Sequence, residues 1–425
     1  MEQVLPVRSD AVPLLVQKFG GTSVADAERI RSVADHVART RRNGNEVVVV
    51  VSAMGKETDE LLRLANEVSS TQPGRELDML ITAGERKTMA LLCMALSDMG
   101  CPAASFTGSQ AGLITDGNHT RAKILAVRPD RLREALAHGQ VPVVAGAQGV
   151  SEEREITFLG RGGSDTTAVA LAHALGAEAC EIYTDVSGVY TADPRLVPDA
   201  HRVGEMIFEE LLEMCASGCP KPEIRSVEYA RSHGVRLHVR SSFTWEPGTW
   251  VVSAAEAEAA AAQPEDPEME RPIVSAIAHD TSEAKLTVTR VPDRPGIAAR
   301  LLRSLADEHV NVDMIVQNVS IGGTTDISFT VPKADLAVAL AACQAHAGEL
   351  EAAEVLADRD IATVSLIGAG MKTHPGVTAT MFETLAAAGI NIEMISTSPI
   401  RISCVVRADV VERAVQTLHT AFSLS

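Results

Sequence analysis

Two glycine-rich stretches carry residue types able to hold phosphate. In Leu15-Val16-Gln17-Lys18-Phe19-Gly20-Gly21-Thr22-Ser23 an apolar segment runs into a lysine, two glycines and two hydroxyls. Adjacent glycines let a backbone turn sharply and approach a ligand, because no Cβ intervenes. The amphipathic segment that follows predicts a helix whose free N–H groups and dipole favour an anion. In Leu159-Gly160-Arg161-Gly162-Gly163-Ser164-Asp165-Thr166-Thr167 a second turn opens the apolar helix Ala168 to Leu175. A helix cap accounts for Ser164 or Asp165, but not for three glycines and an arginine. Taken alone, the first stretch reads equally as a phosphate cradle or as a plain βα turn with a surface lysine. Two such turns, each with a cation, suit an extended polyanion. Neither has the Walker A or G-x-G-x-x-G spacing, which disfavours those nucleotide folds.

Positioning such loops takes a sheet, and bulk properties set its context. A chain of 425 residues implies two or three domains. Hydrophobic residues at 46% and charged residues at 22% are globular values, while aromatics at 3% leave the cores to Ala, Val, Leu and Ile. A net charge of −18 argues against a nucleic-acid partner and requires any anion site to be locally basic. The longest apolar run, Val47 to Val51, is too short to cross a bilayer. Residues Met1 to Asp10 lack the apolar core of a signal peptide, so a cytoplasmic protein is expected. Seven scattered cysteines suit reduced thiols. Cys215 and Cys219, with His233 and His238 downstream, allow a zinc site, although small buried residues is the reading favoured.

From Val12 to about Gly149 strands and helices alternate. Apolar runs at Leu14–Phe19, Val47–Val51, Ala103–Phe106, Ile124–Val127 and Val141–Ala145 predict strands buried on both faces. Ala27, Ile30, Ala34 and Val37 share a helix face, as do Leu61, Ala65 and Val68; Met89 to Met99 predicts a buried helix. Such alternation implies a mostly parallel sheet whose ligands bind at the carboxyl ends of the strands, where Lys18, Ser52 and Gly146 fall. A strand at Glu181–Tyr183 leads into the turn-rich loop Thr184 to Tyr190 and Asp193-Pro194-Arg195. Helices at Phe208–Ala216 and Ser226–His233 and a strand at Val235–Val239 complete the domain. Ala254 to Arg271 reads as a short helix or tether. Beyond it Arg294-Pro295-Gly296 to Asn311-Val312-Asp313-Met314-Ile315 recurs as His374-Pro375-Gly376 to Asn391-Ile392-Glu393-Met394-Ile395, at an offset of roughly 80 residues. Each copy predicts a ferredoxin-like βαββαβ unit, and the pair a binding or dimerisation module. The expected organisation is a catalytic domain at 12–253, a linker at 254–272 and two regulatory units at 273–350 and 351–425, with interleaved pairing of the two left open.

Lys18-Phe19-Gly20-Gly21-Thr22-Ser23, Val51-Ser52-Ala53-Met54-Gly55, Thr82-Ala83-Gly84-Glu85-Arg86, Gly160 to Asp165 and Tyr183-Thr184-Asp185 together resemble the aspartate kinases. The tandem repeat resembles that family's pair of ACT regulatory domains, and the whole is nearest the monofunctional actinobacterial type. The resemblance implies an amino-acid-kinase fold, a three-layer αβα sandwich, followed by two ACT domains. It implies transfer of the γ-phosphoryl group of MgATP to the β-carboxylate of L-aspartate, giving 4-phospho-L-aspartate for lysine, threonine and methionine synthesis. Lys18, with Phe19 and the Gly20 and Gly21 amides, would then hold the β- and γ-phosphates. Arg161, with Gly162, Gly163 and Ser164, would take aspartate's carboxylates; Glu85 would bind its ammonium and Ser52 would line the acceptor site. Asp165 would organise the cations, and Ser164, Thr184, Asp185, Tyr190, Arg195 and Lys221 would serve the nucleotide. Magnesium would come with ATP, with no protein ligand. Lysine and threonine would act as effectors at Asp293, Gly296, Ile297, Ala298, Asn311, Asp313 and Gln317 in the first repeat. In the second repeat they would meet Val377, Thr378, Asn391, Ile392 and Ser398.

The chain departs from the family's pattern at Ser217-Gly218-Cys219-Pro220-Lys221-Pro222-Glu223-Ile224-Arg225, where the family has a lysine followed by apolar residues. Pro220 takes the lysine's place and Lys221 follows one later, which predicts weaker ATP binding, with Lys221 supplying the contact from a shifted loop. In the repeats Ile297 and Pro399 replace glutamates, and Ser320-Ile321-Gly322-Gly323 is shorter than its counterparts. A lost carboxylate removes a partner for a ligand amine, so weakened inhibition by lysine plus threonine is expected. Homo-oligomerisation through the ACT domains, or pairing with a separate regulatory subunit started internally at Met269, is implied, although a lone linker methionine is more often incidental. The alternatives are a kinase of another acidic amino acid or a nucleotide on the same fold, and a catalytically impaired amino-acid sensor.

Overall fold

The consecutive valines of Val47–Val51 are fully buried because the strand they form has neighbours on both edges and helices on both faces. This is seen in a computed structural model that describes residues 12–261, 273–318, 322–371, 374 and 376–424. Met269 lies outside the described residues, as do Ser320, Ile321 and Pro375 of the repeats. The described chain forms two compact units, one of residues 12–189, 202–212 and 221–261, the other of 190–201, 213–220 and 273–424.

In the first unit the chain runs β1 (Leu14–Phe19), α1 (Ala27–Arg42), β2 (Glu46–Val51), α2 (Glu57–Val68), α3 (Gly74–Ile81), α4 (Ala83–Asp98) and β3 (Ala103–Phe106). It continues through β4 (Leu113–Thr115), β5 (Ile124–Val127), α5 (Asp130–Ala137), β6 (Val141–Ala145), β7 (Gln148–Ser151), β8 (Ile156–Phe158), α6 (Gly163–Leu175) and β9 (Ala179–Thr184). After β10 (Glu205–Ile207), α7 (Phe208–Ala216) passes into the second unit; α8 (Ile224–His233), β11 (Leu237–Ser241), β12 (Thr249–Val252) and α9 (Ala254–Ala261) close the first. Eight strands form one sheet in the order β10-β12-β11-β9-β1-β2-β6-β3, parallel except where β12 runs against β11. Ile30, Val33 and Val37 of α1 and Leu92 and Leu96 of α4 pack in one core with Phe19 and alternate valines of β2. Helix α6, buried along nearly its whole length, lies against β1, β2 and β9. A three-layer αβα sandwich results.

Three expectations are corrected. Ile124–Val127 is a strand, but it edges a separate four-stranded sheet, β5-β4-β7-β8, and Leu125 is exposed because nothing covers its outer face. Helix α2 buries none of its residues: it packs on α3, its Glu57 pairs with Lys87 of α4, and Val68 stands in solvent. Helix α4 is buried on one face only. Leu92 and Leu96 are fully covered while Met94 is 63% exposed, because apolar side chains all round a helix do not supply a neighbour on every side.

In the second unit the chain runs β13 (Ala276–Asp280), β14 (Glu283–Pro292), α10 (Ile297–Asp307), β15 (Ile315–Gln317), β16 (Thr324–Pro332), α11 (Leu336–His346) and β17 (Glu354–Asp358). It ends with β18 (Ile361–Ile367), α12 (Gly376–Ala387), β19 (Met394–Ser398), β20 (Arg401–Arg407) and α13 (Val411–Ala421). The first repeat closes its own antiparallel sheet, β15-β16-β14-β17. The second, β19-β20-β18, takes β13 as its fourth strand, against β18 just as β17 lies against β14. The chain thus starts one sheet, builds the other, and returns. Segments 190–201 and 213–220 join this unit: Ala192 and Val197 enter the second repeat's core, and Thr191 Oγ1 lies 2.9 Å from His419 Nε2.

Candidate active site

Strands β2, β1 and β9 run parallel and side by side, so their carboxyl ends open on one edge. Lys18 lies near that end of β1, only 3% exposed, and its ammonium pairs with the fully buried Asp165 carboxylate in the first turn of α6. Burial opposes ionisation of Asp165, but the charges of Lys18 and Lys221 outweigh it and hold the carboxyl below its usual range. After Lys18 the backbone enters a short 3₁₀ turn, Gly21–Val24. A Cβ on residue 21 would lie 3.0 Å from the carbonyl oxygens of Ala53 and Gly55, so glycine here lets the two loops close on each other. Beside them, Phe19 stacks on Tyr183 with ring centroids 4.7 Å apart.

A second group of the expected residues is carried by β2, α4 and α6. Ser52 leaves β2 with its N–H donating to the Phe19 carbonyl at 3.2 Å. Glu85, in the first turn of α4, is 3% exposed. Burial raises its pKa to about 7, although its own N–H and that of Ala53 donate to the carboxylate. Its Oε2 is buried without a hydrogen-bond partner among the described residues. A buried orphan acceptor of this kind calls for a donor. At the other glycine loop Gly162 has φ of +72°, a conformation that glycine adopts without strain, and Gly163 opens α6. Ser164 is buried, while Arg161 is exposed at the turn. Lys221 has its pKa lowered by burial and by the charges of Lys18 and Arg161, against the pull of Asp165 and Glu223.

One unit therefore holds Lys18, Phe19, Gly20, Gly21, Ser52, Glu85, Arg161, Gly162, Gly163, Ser164, Asp165, Thr184, Asp185 and Lys221. Thr184 ends β9 and its hydroxyl donates to Asp185 at 3.0 Å. Tyr190 and Arg195 belong to the second unit, where Arg195 closes a fork on Asp193 at 2.6 and 3.0 Å. Of the effector candidates, Ile297 and Val377 are buried in the cores of their repeats. Asp293, Gly296, Asn311, Asp313, Gln317, Thr378 and Asn391 are exposed, Ala298 and Ile392 are half-buried, and the Ser398 hydroxyl donates to Glu213 at 3.3 Å.

Sequence reasoning missed the supports of this site. Asp78 on α3 is fully buried and accepts from Thr120 N at 2.9 Å, Phe158 N at 3.0 Å and His119 Nδ1 at 2.8 Å, fixing the strand that leads into the Arg161 turn. Behind Phe19 and Tyr183, the buried Glu181 accepts from Gln17 at 2.8 Å, Tyr183 at 3.0 Å and Arg240 at 3.1 Å. Against its burial, the hydrogen bonds of His238 and Gln17 hold its pKa down to about 2. The shared face of Gln17, Glu181 and His238 was the available signal, but only strand order makes them neighbours.

The pattern of the amino acid kinase family matches residues 13–241, and that of an ACT domain matches residues 285–346 and 364–422. An aspartokinase of Mycolicibacterium smegmatis is 54% identical over 414 residues, covering 97% of this chain and 96% of its own length. The chain belongs to the aspartokinase family. Escherichia coli aspartokinase III, solved with aspartate and ADP in its R-state, superposes with a TM-score of 0.79 at 25% identity, covering 96% of this chain and 99% of its own. The same enzyme with lysine and aspartate in its T-state gives a TM-score of 0.73. This chain joins an αβα kinase domain to ACT domains with antiparallel sheets. No helix among its described residues is long and apolar enough to cross a membrane.

Proposed function

We propose that this aspartokinase transfers the γ-phosphoryl group of ATP to the β-carboxylate of L-aspartate. The observation that carries the reading is a buried cation and a buried orphan acceptor in the same unit: Lys18 paired with Asp165, and Glu85 Oε2 without a donor. Lys18 and the amides of Gly20 and Gly21 hold the β- and γ-phosphates. Lys221 adds a second cation from its shifted loop, and Phe19, Ser164, Thr184 and Asp185 complete the nucleotide site. The ammonium of aspartate satisfies Glu85, and Arg161 forks onto its carboxylate, supported by Ser52, Gly162, Gly163 and Ser164. The β-carboxylate is ionised at neutral pH, so attack needs no general base. A new oxygen–phosphorus bond forms, the bond to the ADP oxygen breaks, and ADP leaves with the electron pair. Catalysis rests on aligning two anions and neutralising charge on the transferring group. Asp165 is already engaged by Lys18, so Mg²⁺ would enter with ATP and would supply neutralisation of phosphate charge.

In this reading the enzyme is cytoplasmic and assembles through its ACT domains, where inhibition by lysine and threonine is weakened. Domain limits of 12–253 for catalysis, 254–272 for the linker, and 273–350 and 351–425 for the two ACT units, with the two units interleaved by exchange of β13 and β17, belong to the same proposal. The test is hydroxamate formation from ATP and hydroxylamine with L-aspartate, glutamate and N-acetylglutamate as separate acceptors. Product with aspartate alone supports the assignment; product only with another acid, or none, overturns it.

A further inference from the structure

The turn that carries Arg161 is gripped at three points by one piece of chain, the start of α8. Before the turn, Arg225 Nη1 donates to the Leu159 carbonyl at 2.8 Å, while its Nη2 donates to Ala122 O at 2.9 Å. After the turn, the Glu223 N–H reaches Asp165 Oδ2 at 3.3 Å. At the turn itself the Glu223 side chain lies over Gly162, with its Cβ and Cδ each 2.7 Å from where a Cβ on residue 162 would stand. The Glu223 carboxylate also accepts from Arg225 N at 3.0 Å, capping α8.

Capping alone does not explain a glutamate. The residues preferred at that position are the short Ser, Thr, Asp and Asn, whereas glutamate lays three carbons over Gly162, Cγ nearest and Cβ and Cδ on either side of it, and the last of these is what its length adds. Glycine at 162, held at positive φ, leaves the room that the glutamate fills.

We infer that Glu223 is a positioning residue for the acceptor: its side chain, lying over Gly162, fixes the turn and so the direction in which Arg161 presents its guanidinium. It touches no reacting atom and acts through the turn. The inference rests on the assignment of aspartate as acceptor, and its test separates the two. Glu223→Asp keeps a capping carboxylate but loses the Cδ over Gly162, and its Cγ must turn toward Arg225 N to cap; Glu223→Ala loses the cap and both outer carbons; Glu223→Gln keeps length and a capping oxygen without the charge.

Steady-state kinetics on the full-length protein are expected to show KM for aspartate raised about tenfold in Glu223→Asp and Glu223→Ala, which corresponds to about 1.4 kcal/mol. kcat and KM for ATP should stay within about twofold, and Glu223→Gln should restore the wild-type KM. Amide hydrogen exchange at residues 160–164 should be faster in Glu223→Asp than in wild type. An unchanged KM in both shortened variants reduces Glu223 to a helix cap and overturns the inference. Glu223→Gln as impaired as Glu223→Ala overturns it too, since charge would then be the operative property. If wild-type protein phosphorylates no aspartate, the assignment fails by itself; the exchange experiment still decides the clamp, and unchanged protection at 160–164 in Glu223→Asp sinks it.

Discussion

At the scale of single residues the site is defined by charges that burial makes consequential. Lys18 and Asp165 are both nearly without solvent. Removing one partner of a buried pair strands the other and costs about 3–5 kcal/mol. Asp165→Asn is therefore expected to lower the denaturant midpoint as well as to cut aspartate phosphorylation at least about a hundredfold; normal activity would refute its role. Glu85 makes a pH prediction. Its folded pKa of about 7 lies above the ordinary 4.5, so between those values the folded protein holds more protons than the unfolded chain. Stability without substrate then falls as pH rises through that window, by on the order of 3 kcal/mol. Urea unfolding of wild type at pH 5 and pH 8 should show this loss, and Glu85→Gln should flatten it. Aspartate binding should favour the ionised form, so KM for aspartate is expected to rise as pH drops below about 7.

At the scale of elements, position in the sandwich outweighs composition. Met94 lies only two residues beyond Leu92 on α4, yet it is 63% exposed where Leu92 is fully buried. Leu92→Ala should cost about 2–5 kcal/mol, while Met94→Ala should stay within about 0.5 kcal/mol. Equal losses in thermal unfolding of the two variants would contradict the one-sided packing. The predicted strands of the main sheet were legible because buried parallel strands read as continuous apolar runs. Ile124–Val127 gave the same signal from a different sheet. A run of four apolar residues records that a strand forms, not which neighbours it finds.

At the scale of the whole molecule the two repeats are regulatory candidates whose chemistry has shifted. Ile297 stands where a glutamate was expected, and its side chain is packed in the core with Leu301 and Leu305. A core residue offers a ligand amine nothing. Aspartate phosphorylation is therefore expected to keep most of its rate when lysine and threonine are added together at millimolar levels; sharp concerted inhibition at low concentration of both would refute this. The path from β13 into the second repeat's sheet was not readable from the roughly 80-residue offset. A repeat in sequence marks two similar units but is silent on which strand closes which sheet.

The sequence by itself determined the two glycine loops, the alternation of strand and helix, the tandem repeat and the family, because these depend on residue types at short spacing. Lys18, Glu85, Arg161 and Asp165 could be named on that basis. Tertiary structure alone decided that Lys18 and Asp165 neutralise each other, that one oxygen of Glu85 lacks a donor, and that Glu223 lies over Gly162. The first and the last join residues dozens or more positions apart in the chain. Burial, which turns those meetings into energies, is a property of the packed sheet and helices rather than of any local stretch.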